Sequence, residues 1–452
     1  MIETILKKLE KKENLDEKEI DFFVKEYTKG NISEKEAEKI IREIYINGLT
    51  ETEVIALTNS MVNSGEIFKW NDELLIDKHS TGGVGDKLTL VLMPILSEIG
   101  FKCAKMSGRS LGLTGGTADK LESIKGMNID LGKEEFITNV NEIGIALMTQ
   151  TEKIAQADKK IYALRDKKGL TDSIPLIASS IMSKKIAMGC KNLILDITCG
   201  SGAFMKNIED ARKLGKLMCK IGEEFNINIL AIITNMEEPL GKTVGNRLEV
   251  LEALNVLNGE KGRLRDMAVD ISFAFIEKFR PFFKKKTNIK IAKIQKEDIK
   301  EIIDSKKALL RFEKMLLKQG VSEDEINKLD YERKNYDLKN NIEKVEIYSK
   351  KDFEISKIDA HLAAKCAFMA GAGKENIKDN IEYSAGLVYN KLSGDKVKKD
   401  ELLGTIYISK EKIKENKDEY IKNIQELFNK SIIEQNIYNK DEYKFKEIID
   451  II

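Results

Sequence analysis

The chain is poor in the residues that announce a metal centre, a secreted scaffold or a membrane span. Five cysteines occur in 452 residues (Cys103, Cys190, Cys199, Cys219 and Cys366), dispersed, odd in number and never as Cys-x-x-Cys. That spacing argues against zinc and against a disulfide framework, and it predicts a reducing, cytoplasmic setting. Only four prolines are present, and no long Pro/Ser-rich linker separates domains. No run approaches the ~18 apolar residues of a membrane span, and the first residues (Met1 to Lys8) lack the apolar core of a secretion signal. Charge of one sign is missing too. The 76 basic and 75 acidic residues leave a net charge of +1, so no global pull toward nucleic acid or membrane is expected. Histidine is scarce, at two residues. His361 sits in a helical stretch and reads as structural; His79 sits in the richest polar stretch of the chain.

What is present is an apolar fraction of 42%, enough for real cores, spread over a length that suggests about three domains. Residues 1 to about 65 read as short helices. Asp16 with Glu19, Ser33 with Glu36 and Thr50 with Glu53 fit capping boxes, and Gly30, Gly48 and Gly65 fall near the stops. From about 70 the pattern becomes α/β. Residues 155–190 are helical again, an apolar strand from Asn192 runs up to the acid Asp196 and the Cys199-Gly200-Ser201-Gly202 loop, a further strand spans 229–233, and 255–335 is helical and charged. A polar stretch at 331–345 marks a boundary, and the remainder reads as α+β with a Gly394-Asp395 hairpin turn.

Two glycine-rich loops carry the chemistry. The first is Asp77-Lys78-His79-Ser80-Thr81-Gly82-Gly83-Val84-Gly85-Asp86, between a short apolar strand and a long apolar helix. It is neither a Walker loop nor a dinucleotide fingerprint, because Asp86 and Lys87 follow Gly85 and the glycines fall at 82, 83 and 85. The second runs from Ser107 to Glu122 after the strand Phe101–Met106, with Thr117 as the N-cap of the next helix. Two such loops on one sheet edge predict one anion site, built from Lys78, Ser80, Thr89, Lys105, Ser107 and Thr117. Downstream, Ser180 and Lys184 share a helix face with the apolar Ile177 and Ile181. The run Asp196 to Phe204, with its Cys-Gly-Ser-Gly, also resembles an S-adenosylmethionine loop. The absence of any Pro-Pro dipeptide removes the Asn/Asp-Pro-Pro-Tyr motif of amino-methyltransferases.

The loops at 78–86 and 107–122, Arg165 with Ser180 and Lys184, and Gly200-Ser201-Gly202-Ala203-Phe204 together resemble the thymidine/pyrimidine-nucleoside phosphorylase family over nearly the whole chain. Ile174 to Ala187 is closer to its broad-specificity members than to strict thymidine phosphorylases. The resemblance implies an α/β fold in which a small all-α domain (1–66 with 155–191) faces a larger α/β domain (67–154 with 192–335) across a cleft. A C-terminal α+β domain (336–452) completes it. It implies a homodimer, and phosphorolysis of uridine, thymidine and deoxyuridine to free base and (deoxy)ribose 1-phosphate, with phosphate as co-substrate and no organic cofactor. Phosphate would be held by Lys78, His79, Ser80, Thr89, Lys105, Met106, Ser107 and Thr117. The base would be held by Arg165, Ser180 and Lys184. His79, Arg165 and Lys184 would carry catalysis, with His79 protonating or hydrogen-bonding the departing base from an ordinary imidazole pKa.

The resemblance also implies a potassium ion at positions matching Gly85, Lys87, Leu240, Thr243 and Glu252. Here Lys87 replaces a threonine, so its ammonium either takes the place of the ion or points away while a backbone oxygen still binds it. Leu113 replaces a histidine, Ser110 a smaller residue, and Thr198 a lysine; none is a proposed phosphate or base ligand. Other readings are a strict thymidine phosphorylase, a magnesium-dependent transferase similar to anthranilate phosphoribosyltransferase, and a non-catalytic nucleoside-binding protein.

Overall fold

A computed structural model describes residues 1–109, 115–151, 153–286, 289–338, 341–374, 380–435 and 446–452. Ser110 and Leu113 lie outside them. The chain opens with four helices, α1 (Ile2–Glu10), α2 (Glu17–Lys29), α3 (Glu34–Asn47) and α4 (Glu51–Val62). The three capping boxes start α2, α3 and α4 as the sequence predicts, and Gly30 closes α2 in the left-handed region at φ +86°. Gly65 has a different task from the stop expected of it. A Cβ there would lie 2.3 Å from the Lys153 carbonyl, so glycine permits the close pass that joins two segments distant in sequence.

The α/β part follows: strand β1 (Leu75–Ser80), helix α5 (Leu88–Ile99), β2 (Lys102–Ser107), α6 (Thr117–Glu122), α7 (Lys133–Ile143) and β3 (Ile145–Thr149). The chain then returns to helices α8 (Gln156–Lys168) and α9 (Ile174–Ala187). Ala157, Ile161, Leu164, Leu170 and Leu176 from this return share one apolar core with Ile5, Phe23, Ile40 and Leu57. Burying that shared surface is what holds two separate stretches of sequence in one helical unit. Ala178 and Met182, on α9, pack instead with Leu193, Leu195 and Ile197 of the sheet, so α9 lies between the two units.

Strands β4 (Asn192–Cys199) and β5 (Asn228–Asn235), with α10 (Ile208–Glu224) between them, complete a parallel set. Short β6 (Thr243–Val244) and α11 (Asn246–Leu257) come next, then helices up to Asn335. The C-terminal part adds β7 (Ile342–Tyr348), β8 (Phe353–Ile358), β9 (Gly386–Tyr389), β10 (Lys396–Val397), β11 (Leu402–Ser409), β12 (Ile432–Gln435) and β13 (Ile448–Ile451). The main sheet runs β13-β5-β4-β1-β2-β3. Its order reverses between β1 and β4, the place in a doubly wound sheet where ligands bind beyond the strand ends. A second sheet runs β6-β9-β11-β7 and a third β10-β8-β12.

Four details differ from the sequence reading. Strand β1 continues through the polar residues, with His79 opposite Leu195 and Ser80 opposite Asp196, so the glycine turn begins only at Thr81. The N-cap of α6 is Gly116, whose N–H donates to Asp119 Oδ2 at 2.7 Å, rather than Thr117. The last residues leave the C-terminal unit: β13 pairs antiparallel with β5, and Ile449 and Ile452 pack against the sheet core, which covers an otherwise open edge. His361 stands exposed on the helix Ala360–Ala370, not in a core.

Candidate active site

A cavity of about 570 Å³ opens where β1 and β2 end opposite α8 and α9. From the sheet it receives His79, Ser80, Thr81, Met106 and Ser107; from the helices Asp158, Tyr162, Arg165, Ser180 and Lys184; and from the loop after β4, Phe204. The strand ends supply small donors and a ring. The helices supply cations. The cavity is large enough for a nucleoside-sized ligand.

The helix side is built by i, i+4, i+7 spacing on α8, which brings Asp158, Tyr162 and Arg165 to one face. Arg165 is almost fully buried. Its guanidinium donates to the carbonyls of Leu170 (3.1 Å), Thr171 (2.6 Å) and Leu176 (3.2 Å), which shapes the turn between α8 and α9 and fixes the planar group with N–H left over for a ligand. Burial lowers its pKa, against the attraction of Asp158, Tyr162 and Asp172. Lys184 Nζ donates to Asp158 Oδ2 at 2.5 Å and to Ser180 Oγ at 3.0 Å. Asp158 was not singled out from the sequence. Its place one and two turns before Tyr162 and Arg165 is the signal that points to it. Its other carboxylate oxygen, Oδ1, is buried without a hydrogen-bond partner.

On the sheet side the expected phosphate residues divide into two groups. His79, Ser80, Met106 and Ser107 reach the cavity wall; Lys78, Thr89, Lys105 and Thr117 do not. Lys78 is fully buried with Nζ 2.8 Å from Asp196 Oδ2 and 3.5 Å from Asp86 Oδ2. Burial disfavours its charge, yet the two carboxylates prevail and hold its pKa above the ordinary lysine value. Lys105 lies under the floor, donating to the Lys78 carbonyl at 2.5 Å. Burial, with repulsion from Lys185, pushes its pKa down to about 7, against the pull of Asp77. Thr89 and Lys105 line a separate space of about 10 Å³. Thr117 opens α6 away from the wall. The N-terminus of α5 is not free for an anion either, since Asp86 Oδ1 already accepts from Leu88 N at 3.2 Å.

His79 differs from expectation in its proton. Burial, then the positive charges of Lys185, Lys105, Lys184 and Lys78, place its pKa well below the ordinary imidazole value. The ring is therefore neutral at neutral pH, able to donate one hydrogen bond and unsuited to act as a charged acid. Thr198, where a lysine was expected, ties the strand ends together: its hydroxyl donates to Gly82 O at 2.6 Å and its N–H to Thr81 Oγ1 at 3.0 Å.

Of the residues that a potassium ion would need, Leu240, Thr243 and Glu252 do converge beside Gly85. Their oxygens surround the Lys87 ammonium, at 2.6 Å from Leu240 O, 2.8 Å from Thr243 O, 3.2 Å from Thr243 Oγ1 and 2.8 Å from Glu252 Oε2. An ion does not fit there while Lys87 reaches in. Among the described residues no group of three or more His, Cys, Asp or Glu is placed to hold a metal, and no helix is long and apolar enough to cross a membrane.

Fold and site define a transferase of the glycosyl transferase class. Residues 3–65 match the family model "Glycosyl transferase family, helical bundle domain", and residues 72–279 match "Glycosyl transferase family, a/b domain". Residues 354–426 match "Pyrimidine nucleoside phosphorylase C-terminal domain". The chain is 39% identical to the pyrimidine-nucleoside phosphorylase of Staphylococcus haemolyticus, over 94% of this chain and 95% of that one. It is 39% identical to that of Bacillus subtilis over 92% and 93%, and 38% identical to that of Geobacillus stearothermophilus over 91% and 93%. The solved structure of anthranilate phosphoribosyltransferase from Thermus thermophilus shares the fold, with a TM-score of 0.54 at 18% identity over 70% of this chain and 99% of that one. The chain belongs to the pyrimidine-nucleoside phosphorylase family.

Proposed function

We propose that this enzyme cleaves pyrimidine nucleosides by phosphorolysis: uridine, thymidine or deoxyuridine plus phosphate gives free base plus (deoxy)ribose 1-phosphate. The observation that carries this reading is the single cavity in which the strand-end donors His79, Ser80 and Ser107 face Arg165, Ser180 and Lys184. Phosphate oxygen attacks the anomeric carbon as the bond to the base nitrogen breaks, and the bonding pair leaves with the base. Negative charge develops on the ring oxygens, where Arg165 and Lys184 lie ready to donate charge-assisted hydrogen bonds. Ser180 both orients Lys184 and donates to the base. Ser80, Ser107 and the neutral His79 ring hold the attacking phosphate and the departing base in line. Buried Lys105, whose pKa lies at about 7, adds positive charge from beneath the floor when protonated, while Lys78, paired with Asp196 and Asp86, holds the strand end in place.

Phe204, half exposed at the mouth, gives the sugar an apolar wall. The transferase reading is weaker, because the phosphorylase relatives match over the C-terminal part as well. We also propose a cytoplasmic homodimer, for which light scattering should give about twice the 51.2 kDa chain mass. The deciding assay is base release from uridine and from thymidine, with and without phosphate. Phosphate-dependent release from both substrates supports the reading. Release from thymidine alone narrows it to a thymidine phosphorylase. Tight thymidine binding without release would replace it with a binding protein.

A further inference from the structure

Lys87 has no part in the chemistry above, yet it is one of the most enclosed charges in the molecule. Four oxygens, from the loop before β6, from β6 itself and from α11, converge on its ammonium, and the surrounding backbone is arranged for that meeting. Gly85 runs over the same point at φ +72°, and a Cβ there would lie 3.0 Å from Leu240 O and 3.1 Å from Thr243 O. Gly241, at φ +82°, leaves room for the Glu252 carboxylate, which a Cβ would meet at 2.2 Å. Glu252 accepts from the backbone N–H of Lys242 (2.8 Å) and of Thr243 (2.9 Å) and from Thr243 Oγ1 (2.6 Å). Burial would push this carboxyl's pKa up, but the Lys87 charge and these hydrogen bonds hold it below the ordinary range.

Carbonyls, a hydroxyl and a carboxylate closing on one point are the oxygen set that replaces the hydration shell of a monovalent cation. An ammonium and a potassium ion are similar in size and carry the same charge. The tether differs: the ammonium arrives on the chain itself and pays no cost of capture from solution.

We infer that the Lys87 ammonium is the resident cation of this oxygen cradle, so that folding and turnover of this enzyme need no potassium, and that removing it opens a site for a monovalent ion. The cradle joins the glycine loop after β1 to β6 and α11, and β6 is the edge strand of the C-terminal sheet. A cation here therefore ties together three parts of the fold.

The test compares the whole enzyme and two variants in potassium chloride and in choline chloride at equal ionic strength, by thermal melting and by base release. The wild type should melt within about 1 °C and turn over within about twofold in the two salts. A wild-type melting point more than roughly 3 °C higher in potassium overturns the inference. Lys87→Thr, which shortens the side chain and keeps an oxygen, should be destabilised in choline and restored by potassium or by ammonium ions. Lys87→Met, which fills the space without charge, should respond to neither. A Lys87→Thr protein that ignores potassium, or that folds in neither salt, refutes the claim that an ion can stand in for the ammonium. The activity arm rests on the phosphorylase reading and the melting arm does not. Salt-insensitive melting with no base release would sink that reading and leave this one intact.

Discussion

Lys184 and Lys87 make the same bond in two settings. Each ammonium sits on a carboxylate, Lys184 on Asp158 at 2.5 Å and Lys87 on Glu252 at 2.8 Å. Each also takes a hydroxyl, from Ser180 and from Thr243 respectively. The difference is closure. Lys87 is fully enclosed and two carbonyls complete its shell, whereas the Lys184 side chain keeps 20% exposure and opens on the cavity. A lysine whose partners are all protein holds the fold. A lysine held by one carboxylate and one hydroxyl, with a donor still facing solvent, is oriented for something that arrives.

Opposite consequences follow for the two residues. Lys184→Ala should cut kcat/KM by about 10³, the scale of losing one preorganised donor at a developing charge; the melting temperature should fall less than in Lys87→Met, because Asp158, left without its counter-charge, lines the cavity where water can reach it. A variant with near-normal kcat/KM would show that Lys184 only fills space. Lys87→Met should do the reverse. Glu252 is then left buried without its counter-charge, which costs roughly 3 kcal/mol of stability by chemical denaturation. An unchanged midpoint would mean that solvent reaches the cradle and the enclosure is not real. Activity measured well below the melting transition should fall much less than in Lys184→Ala.

Much of this was legible in the residues because it depends on local spacing. Asp16/Glu19, Ser33/Glu36 and Thr50/Glu53 are satisfied within one helical turn, so their pattern survives whatever the tertiary fold does. Ser180 and Lys184 share a face for the same reason. The apolar runs that became β2 to β5 are buried on both faces, and the sequence marks such strands directly. The grip of Asp158 on Lys184 spans two helices, and the direction taken by Lys87 depends on oxygens more than 150 positions away. No spacing rule reaches that far. The polar end of β1 was read as loop because Lys78, His79 and Ser80 look like loop residues. Pairing with β4 fixes their backbone, and Asp196 and Asp86 neutralise Lys78 inside. The return of β13 to β5 is an edge-covering contact between remote segments, also silent in local pattern.

A third lysine separates burial from pairing. Lys105 is nearly as buried as Lys87 but has no carboxylate nearer than Asp77 Oδ1 at 3.7 Å. Burial and the neighbouring Lys185 set its pKa at about 7. In the unfolded chain this lysine keeps its proton to far higher pH, so above about 7 the unfolded state binds more protons than the folded one. Stability from this group therefore rises as pH climbs from about 7 toward the ordinary lysine value, by at most about 1.4 kcal/mol per pH unit. Denaturation midpoints at pH 6, 7, 8 and 9 measure the slope, and Lys105→Met should flatten it. A slope unchanged in the variant would assign the effect to another group. Phosphate binding gives the same group a second signature. An anion over the floor favours the protonated lysine, so binding near pH 7 should take up protons, measurable as a buffer-dependent heat.

The smallest effect concerns a neutral contact, which isolates what the charged ones add. Thr198 Oγ1 donates to Gly82 O and lies 2.9 Å from Thr81 Oγ1, tying the end of β4 to the turn after β1. No ion pair is involved, so no charge is stranded when the hydroxyl is removed. Thr198→Val keeps the β-branched shape that suits a strand and removes the donor, and should cost about 1 kcal/mol. That is well below the cost at Lys87. Gly82 sits at φ +92° with open space around the position a Cβ would take, so its carbonyl can turn to water once released. The consequence should appear in the phosphate KM, because Ser80 stands two residues before Gly82 and its hydroxyl accepts from the Gly82 N–H at 3.1 Å. A loss of stability with an unchanged phosphate KM would mean that the turn holds its shape without Thr198. A raised phosphate KM at nearly full stability would show that the hydroxyl positions Ser80 for the anion, which would move Thr198 from the side of Lys87 to the side of Lys184.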